Sequence, residues 1–543
     1  MSSSHLPLLV AVILVVLCPM SVAESTTSLT GQVVDADTAE PLACRIYVRG
    51  EDGKWYFPGS ASPDGSAVTY QKQNWANKNS VEMHTTLSAH PFVVKVPRGE
   101  YEITVERGKE YFPQTRRVTV GAEPVNLKFR LKRWINMAQL GYYSGDTHVH
   151  RTLEELPNVQ LAEDLNVSFP LLYWVTKAFL PPGTGDKSVR EQVEARPIFI
   201  DDTHVMYPLN TEYEIFSVND KSHTLGAVFV LNHKSVFQIG VPPVGPVKKL
   251  AREEGGLLEL DKHNWPWSMM LVPIMGVDLF ELTNNHIWRT EFAFARFGEA
   301  PPEYMQVEKD AKGFTERGWI EYGFANYYTL LNCGFRLRPT AGTATGVHPV
   351  PLGFGRVYVK LEEGFDYDAW VKGLDEGRSF VTTGPMLFVT VNDFDPGHFF
   401  GQSGRSPAGY SVAGRAQSAY PLGSVEIIVN GRVAEVLKAQ NQRLRSGAYL
   451  NRINTTIDVA TTSWIAVRCF EDRPDKRPCF AHTGPFHIRV EDRPLQPEKG
   501  EIEFLIKRMR EQIERNEDVL PSDAVEEYRR ALNIYQGIAK HAR

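Results

Sequence analysis

The sequence of 543 residues predicts a multidomain protein of the α/β plus β class. Three observations lead to this prediction. The chain is too long for a single hydrophobic core. Short β-rich runs flank a central segment in which strand-like and helical runs alternate. Two amphipathic helical patterns follow at the end. An apolar fraction of 42 % allows each unit to bury a core of its own.

Residues 1–23 are predicted to be a secretory signal peptide. A nearly unbroken apolar run covers residues 6–18, and Ser-Val-Ala at 21–23 predicts cleavage near Ala23. An uncleaved anchor is the alternative, although the run is shorter than the roughly 20 residues of a bilayer span. No later segment has the length and apolar character of a span, so we expect a secreted or periplasmic chain. The net charge of −6 is small and gives no reason to expect nucleic acid as a partner.

Residues 27–132 are predicted to form an N-terminal β-sandwich. Six β-rich runs are separated by turn signals such as Asp52-Gly53, and they cover residues 29–34, 44–48, 92–96, 101–105, 117–120 and 125–131. Residues 133–390 change character and predict an α/β domain. Strand-like runs lie at 227–231, 270–273 and 356–360, and helical stretches lie at 154–165, 247–254, 322–331 and 367–376.

Residues 391–492 return to a β pattern and predict a C-terminal β-sandwich. The runs 424–429 and 432–436 flank Asn430-Gly431, which is typical of a two-residue hairpin turn. Further strands are predicted at 464–470 and 486–490. Cys469 and Cys479 flank a loop, and they form either a disulfide or two buried thiols.

Residues 497–543 are predicted to form a helical hairpin. Ile502, Leu505 and Met509 lie on one face of the first helix, and Val525 and Tyr528 do so in the second. The second helix is expected to start at Asp523-x-x-Glu526, just after Pro521. Such a hairpin packs onto the body of the chain or onto another subunit, so an oligomer through these helices is one of the two expectations.

The motif Gly-Asp-Thr-His-Val-His at residues 145–150 is the strongest indication of chemistry. Side chains alternate along a strand, so His148 and His150 share a face and their ring nitrogens can converge on one divalent ion. Asp146 shares that face, and it is expected either to orient an imidazole or to bind the ion directly.

Other histidines and acids lie next to apolar runs, at positions expected to be strand ends. His223 precedes the run 225–231, His263 follows 256–260, Glu281 follows 277–280, and His348 follows 342–347. An α/β barrel gathers its site residues at strand ends, so these residues are candidates for the same site. Trp265 and Trp267 beside His263 predict either a substrate wall or a packed loop.

Four segments carry a resemblance to a known family. Tyr143-Ser-Gly-Asp-Thr-His-Val-His150 resembles the opening motif of the PHP (polymerase and histidinol phosphatase) superfamily of metal-dependent hydrolases. Three further segments resemble one branch of this superfamily, the carbaryl-hydrolase-like CehA/McbA branch. They are Gly377-Arg-Ser-Phe-Val-Thr-Thr-Gly-Pro385, Val425-Glu-Ile-Ile-Val-Asn-Gly431 and Trp464-Ile-Ala-Val-Arg468. Residues 27–132 resemble the carboxypeptidase-regulatory, transthyretin-like module, through Gly31-Gln-Val-Val-Asp35 and Val96-Pro-Arg-Gly-Glu-Tyr101. The resemblance implies a distorted (β/α)7 barrel at 133–390 with metal ions at its strand ends.

The resemblance also assigns roles to residues of this chain. The metal ligands that it implies are His148, His150, Glu212 (with Glu214 as the alternative), His223 and His263. His348 aligns with the last motif of the family and is expected to move a proton, with Glu281 as a second candidate for that task. The family's Thr-Asp-His has no counterpart at residues 172–177, and its final Asp is absent before His348, which favours one or two ions, zinc or manganese.

Two functions from different classes follow. The first is a secreted divalent-metal-dependent hydrolase of an ester, phosphoester or carbamate-type bond in a small-molecule or cell-surface-derived substrate. The alternative is a catalytically degenerate barrel that serves as an extracytoplasmic binding or scaffold protein.

Overall fold

The computed structural model describes residues 26–296, 300–403 and 406–543. The predicted signal peptide lies outside the described residues. Within those ranges the chain forms several β-sheets and seven α-helices and is rich in strands, as predicted for an α/β plus β protein.

Two sheets at the N-terminus face each other across an apolar core. Their strands are β1 (Thr26–Asp35), β2 (Cys44–Gly50), β3 (Trp55–Tyr56), β4 (Gly59–Ser60), β5 (Ala67–Gln73), β6 (Val81–Leu87), β7 (Phe92–Pro97), β8 (Gly99–Glu106), β9 (Gln114–Val120) and β10 (Val125–Leu131). One sheet has the order β10-β1-β7-β4, and the other has the order β5-β6-β2-β8-β9 with β3 beside β2. All six predicted strands are present. The sequence pattern misses β5 and β6, which carry many polar residues.

The central segment alternates strands and helices. Its elements are β11 (Tyr142–Val149), α1 (Leu156–Glu163), β12 (Val167–Pro170), β13 (Tyr173–Lys177), β14 (Ile198–Phe199), β15 (Val205–Met206), β16 (Thr211–Val218), β17 (Lys221–Leu231), α2 (Gly245–Glu254), β18 (Leu257–Leu260), α3 (Ser268–Leu271), β19 (Leu279–Thr283), β20 (Lys309–Asp310), β21 (Gly313–Phe314), α4 (Glu316–Asn332), β22 (Arg338–Ala341), β23 (Arg356–Lys360), α5 (Tyr367–Glu376) and β24 (Ser379–Thr382). All four predicted helices are present.

One sheet of the central segment, which we call the central sheet, has the order β13-β16-β17-β18-β19-β22. Strand β17 is antiparallel to both of its neighbours, and the other pairs are parallel. The carboxyl ends of β18, β19 and β22 therefore meet at one edge, where loops leave the sheet.

The prediction of a strand at residues 270–273 is wrong. Helix α3 covers residues 268–271, and a π-helical turn follows at Val272–Gly276. Met269, Met270 and Leu271 are all buried. A short run that is apolar on every side cannot be assigned to strand or helix by periodicity, and tertiary packing selected the helix.

A second, larger sheet joins the central segment to the segment after residue 390. The strands that follow are β25 (Met386–Val391), β26 (Phe399–Gln402), β27 (Ala408–Ser418), β28 (Leu422–Val429), β29 (Arg432–Lys438), β30 (Gln442–Arg443), β31 (Tyr449–Val459), β32 (Ser463–Glu471), β33 (Phe480–Thr483) and β34 (Phe486–Val490). The large sheet has the order β14-β15-β12-β11-β23-β24-β33-β32-β28-β29, with β26 and β34 beside it. The sheet β25-β27-β31-β30 shares an apolar core with it.

Local features of the C-terminal strands agree with the sequence. Asn430 and Gly431 have φ values of +48° and +79° between β28 and β29, which is the geometry of the predicted two-residue turn. Cys469 and Cys479 are free thiols, and both are buried.

Two helices complete the chain, α6 (Lys499–Asn516) and α7 (Ser522–Ala539). Their apolar faces pack on the body: the Tyr535 hydroxyl donates to the Met269 carbonyl at 2.6 Å. Glu527 accepts from the backbone N–H groups of Val244 and Gly245 at 2.8 Å, at the start of α2. The apolar faces of the two terminal helices are thus covered by the body of the same chain. Among the helices of the described ranges, none combines the length and apolar character that a membrane span requires.

Candidate metal centre

The His-x-His motif lies at the carboxyl end of β11. The Nε2 atoms of His148 and His150 are 3.2 Å apart, and both side chains are buried. The backbone around them is held by the loop after β22, because Ala344 N–H donates to the His148 carbonyl at 2.7 Å and His150 N–H donates to the Thr345 carbonyl at 2.8 Å. The predicted convergence of the two rings is therefore present.

Glu212 on β16 joins this pair. Its Oε2 lies 3.2 Å from His150 Nε2, and its Oε1 lies 3.9 Å from His148 Nε2. Two ligand atoms on one tetrahedral zinc ion are roughly 3.3 Å apart, given metal–nitrogen bonds of about 2.0–2.1 Å. Both carboxylate oxygens of Glu212 are buried without a hydrogen-bond partner among the described residues. Unsatisfied oxygens at these distances fit a divalent cation held by His148, His150 and Glu212.

The other nitrogen of His148 faces two acids. Its Nδ1 is 3.0 Å from Glu281 Oε2 and 3.9 Å from Asp261 Oδ1. Glu281 also accepts from the Asn285 N–H at 2.8 Å, which holds the carboxylate in place. When Glu281 is ionised it accepts a hydrogen bond from Nδ1–H, and the Nε2 lone pair of His148 is then directed at the cation. Gly342 allows this close packing, since a Cβ there would lie 2.4 Å from His148 Cβ.

A lysine stands on the far side of these acids. Glu212, Glu214 and Asp261 form a further group whose ligand atoms lie within 4.8 Å of one another. Lys262 Nζ contacts Asp261 Oδ2 and lies 3.4 Å from Glu214 Oε1. The buried centre therefore contains an ammonium group of its own beside the predicted ligands.

Burial shifts the pKa values of the acids and imidazoles of the centre in opposite directions. Burial raises the pKa of Glu212 to about 8 and that of Glu214 to about 7. Burial also raises the pKa values of Asp261 and Glu281. Burial lowers the pKa of His150 to about 4, so that ring is neutral near neutral pH, which is its metal-binding form. A divalent cation would neutralise the acids and leave the imidazole lone pairs available.

Asp146 does not orient an imidazole as the sequence suggested. Its Oδ1 accepts from the backbone N–H of His148 at 3.1 Å, and its Oδ2 accepts from the Thr343 hydroxyl at 2.6 Å and the Gly353 N–H at 2.9 Å. The carboxylate thus joins the end of β11 to the loop after β22. Asp146 therefore stabilises the backbone that carries His148.

Two predicted ligands lie outside the cluster. His223 is near the start of β17, and its Nε2 contacts Asn516 Oδ1 at 2.8 Å at the end of α6. His263 contacts Asn326 on α4 through Nδ1 at 3.2 Å and packs against the Trp319 ring. Neither belongs to a group of potential ligands. The β16–β17 hairpin extends past the centre, and α4 covers the side on which His263 lies.

An open cleft of about 510 Å³ reaches the acidic cluster at Glu214 and Lys262. Its polar lining includes Glu214, Lys262, His286 and His348, and its apolar lining is Trp75, Phe216, Trp265, Pro266 and Phe294. His348 thus shares this cleft with Glu214 and Lys262. Trp265 also lines the cleft, whereas Trp267 is fully buried. Burial lowers the pKa of His348 to about 3, so the ring is neutral near neutral pH and binds a proton weakly.

The N-terminal sheets hold the loop that carries His348. Tyr70 on β5 accepts from the Gly346 N–H at 2.8 Å and donates to the His348 carbonyl at 2.5 Å. The Arg151 guanidinium lies over the Tyr70 ring at 3.8 Å from its centroid. The same hairpin, β5–β6, carries Trp75 at the rim of the cleft. The N-terminal segment is therefore part of the site.

Sequence reasoning missed Asp261 and Lys262 as members of the centre, and named Glu214 only as an alternative. One signal was available: Glu259 and Asp261 are two residues apart at the end of an apolar run, so they share a face of a strand. Glu259 accepts from the hydroxyls of Thr147 and Thr340 at 2.8 Å, below the ligand groups.

No family model matches the chain, and no curated protein matches it. The geometry of the centre and the residues themselves therefore carry the functional argument.

Proposed function

We propose that this chain is a divalent-metal-dependent hydrolase that cleaves an ester, phosphoester or carbamate-type bond. The observation that carries the proposal is the convergence of His148, His150 and Glu212, whose ligand atoms lie within 4.8 Å of one another. Two imidazoles and one carboxylate are the protein ligands of many catalytic zinc sites, which keep a further position open. Zinc, or manganese, is the proposed ion.

The ligand set differs from the one expected by resemblance. His148, His150 and Glu212 would hold the ion, without His223 and His263. Asp261 Oδ1 lies 3.9 Å from His148 Nδ1, on the opposite side of the ring from the nitrogen that would bind the ion. A bound divalent ion would lower the pKa of a coordinated water and polarise the scissile bond.

Two further residues have proposed roles, one in proton transfer and one in orienting a metal ligand. His348 lines the cleft beside Glu214 and Lys262, and this position supports its proposed role in proton transfer. Glu281 contacts His148 Nδ1 rather than the cleft, and its proposed role is to orient that ligand. This differs from the proton transfer that the sequence suggested for Glu281 as a second candidate.

We further propose that the central sheet and β11–β12 close into the distorted barrel of the PHP superfamily. Support comes from the parallel bridge between Val149 and Thr345, which links β11 to the loop after β22. On the other side, Leu171 N–H donates to the Val149 carbonyl at 2.8 Å just after β12, and β13 then pairs with β16. The His-x-His motif at β11 is the sequence feature that favours this family.

Export is part of the proposal. The apolar run at residues 6–18 and the small residues at 21–23 support a cleaved secretory leader. A secreted or periplasmic enzyme would meet a small-molecule or cell-surface-derived substrate.

The direct test is metal removal. The full-length mature protein would be assayed on nitrophenyl esters, a nitrophenyl phosphodiester and a nitrophenyl carbamate, before and after dialysis against a chelator. We expect hydrolysis of at least one class, its loss after chelation, and its return when zinc or manganese is added back. Undiminished hydrolysis by the metal-free protein, or no hydrolysis with metal bound, would contradict the proposal. The second result would favour a binding or scaffold protein.

The apolar rim predicts a preference for substrates with an apolar group. Trp75 is 71 % exposed and lines the cleft with Phe216 and Trp265. We expect Trp75→Ala to lower kcat/KM for a long-chain or aryl ester by about tenfold, which corresponds to roughly 1.4 kcal/mol of apolar contact. Hydrolysis of the acetate ester and the metal content should stay unchanged.

Phe199→Ala provides the control for this prediction. Phe199 is an exposed aromatic residue that does not line the cleft, so its removal should leave both esters unaffected. An equal effect of Trp75→Ala on the acetate and long-chain esters would show that Trp75 does not contact the apolar group.

A further inference from the structure

The ammonium of Lys262 occupies a position between two acids of the centre. Its side chain is only 4 % exposed, and Nζ contacts Asp261 Oδ2 and lies 3.4 Å from Glu214 Oε1. Glu212, Glu214 and Asp261 have the spacing of a cation-binding group. In this group, however, a positive charge is already supplied by the chain.

The adjacent group has no such charge. The two oxygens of Glu212 and Oδ1 of Asp261 are buried without a hydrogen-bond partner among the described residues, and they lie 3.2–3.9 Å from ring nitrogens of His148 and His150. The two oxygens of Asp261 thus have different neighbours: Oδ2 contacts the Lys262 ammonium, and Oδ1 lies 3.9 Å from His148 Nδ1. The position beside Asp261 Oδ2 therefore already holds the Lys262 ammonium, whereas the position beside the two histidines holds no positive group of the described chain.

We propose that Lys262 is a built-in cation that takes the place of a second metal ion, so that the centre holds a single divalent ion. The inference rests on the proposed metal site at His148, His150 and Glu212. Two cations a few ångströms apart repel each other strongly in a buried site unless acids separate them. The ammonium on Glu214 and Asp261 therefore disfavours a divalent ion at the same oxygens.

The charge count of the centre shows what removal of the ammonium would change. The acids are Glu212, Glu214, Asp261 and Glu281, which carry four negative charges when all are ionised. One divalent ion and the Lys262 ammonium together supply three positive charges and leave one negative charge, whereas a second divalent ion would raise the total to five and leave one positive charge in excess. Without the ammonium, two divalent ions would supply four charges and balance the four acids.

Removing the ammonium is therefore expected to create a second metal position. Zinc per chain would be measured by elemental mass spectrometry and by calorimetric titration, on full-length protein first stripped with a chelator. We expect one equivalent in the unaltered chain and two in Lys262→Met, which keeps most of the side-chain volume and loses the charge. Adding Glu214→Gln to Lys262→Met should return the count to one.

Lys360→Met is the matched control, because Lys360 pairs with Asp395 at 2.8 Å outside the centre and its removal should leave one equivalent. Two equivalents in the unaltered chain would overturn the inference, and so would one equivalent in a folded Lys262→Met protein. If Lys262→Met does not fold, saturating titration of the unaltered chain decides between one ion and two. No bound zinc in the unaltered chain would overturn the proposed metal site itself, a different result from finding two.

Discussion

Replacement of both His148 and His150 by alanine is expected to abolish stoichiometric metal binding and to lower hydrolysis at least about 10³-fold. The double substitution removes both imidazoles that converge at 3.2 Å, and it leaves Glu212 with other carboxylates only. A bound ion supplies several kcal/mol of transition-state stabilisation, and each 1.4 kcal/mol corresponds to about tenfold in rate. Zinc per chain and kcat/KM on the best ester are the measurements.

His223→Ala is the control, because the sequence and the structure make different predictions for this residue. The sequence suggests His223 as a ligand, whereas the structure places its ring against Asn516. We therefore expect His223→Ala to keep one equivalent of zinc and the activity of the unaltered chain. Retention of zinc by the double His148 and His150 variant, or its loss in His223→Ala, would show that the centre is elsewhere.

Trp370→Ala is expected to destabilise the central segment by about 3–5 kcal/mol, the usual cost of truncating a fully buried tryptophan. Trp370 on α5 is 0 % exposed, and its Nε1–H donates to the Tyr143 carbonyl at 2.9 Å on β11. Its ring also contacts Gly145, where a Cβ would lie 2.4 Å from the indole. Because β11 ends in the two histidines, loosening this contact should also weaken metal binding.

Hydrogen exchange of the β11 amides measures this effect. A loss of 3–5 kcal/mol should speed exchange by more than about 100-fold for amides that open together with β11. Trp75→Ala is the matched control, since the same substitution at an exposed tryptophan should change stability by less than about 0.5 kcal/mol. Equal protection of β11 in Trp370→Ala and in the unaltered chain would contradict the assigned role of Trp370.

Much of the secondary structure could be predicted because the patterns were strong and local. The bounds of β10, β23, β34 and α5 match the predicted runs, and the Asn430-Gly431 turn has its expected geometry. The failures have a common cause. Strands β5 and β6 are rich in polar residues because they reach over the central segment, and α3 is apolar on all sides because it is enclosed. In neither case do apolar and polar residues alternate with the period of a strand or a helix, so the sequence pattern does not reveal the element.

The helix starts show the same limit. The second terminal helix begins at Ser522 without a side-chain cap from Asp523, while the first has a reciprocal cap between Glu498 and Glu501 that the pattern did not indicate. Capping depends on the entry angle of the chain, which tertiary contacts set.

The sequence by itself determined that two imidazoles, His148 and His150, lie on one face at the end of a strand, because alternation along a strand is local. This alternation could not decide which distant acids meet them, and Glu212 was named only through the family resemblance. Tertiary structure brought Glu212, Asp261 and Glu281 to that strand and turned His223 and His263 away, since strand order, the antiparallel β17 and the packing of α4 are set by long-range contacts. The placement of Lys262 among the acids was likewise decided only by the fold, because a charge is informative about a site only once its neighbours are known.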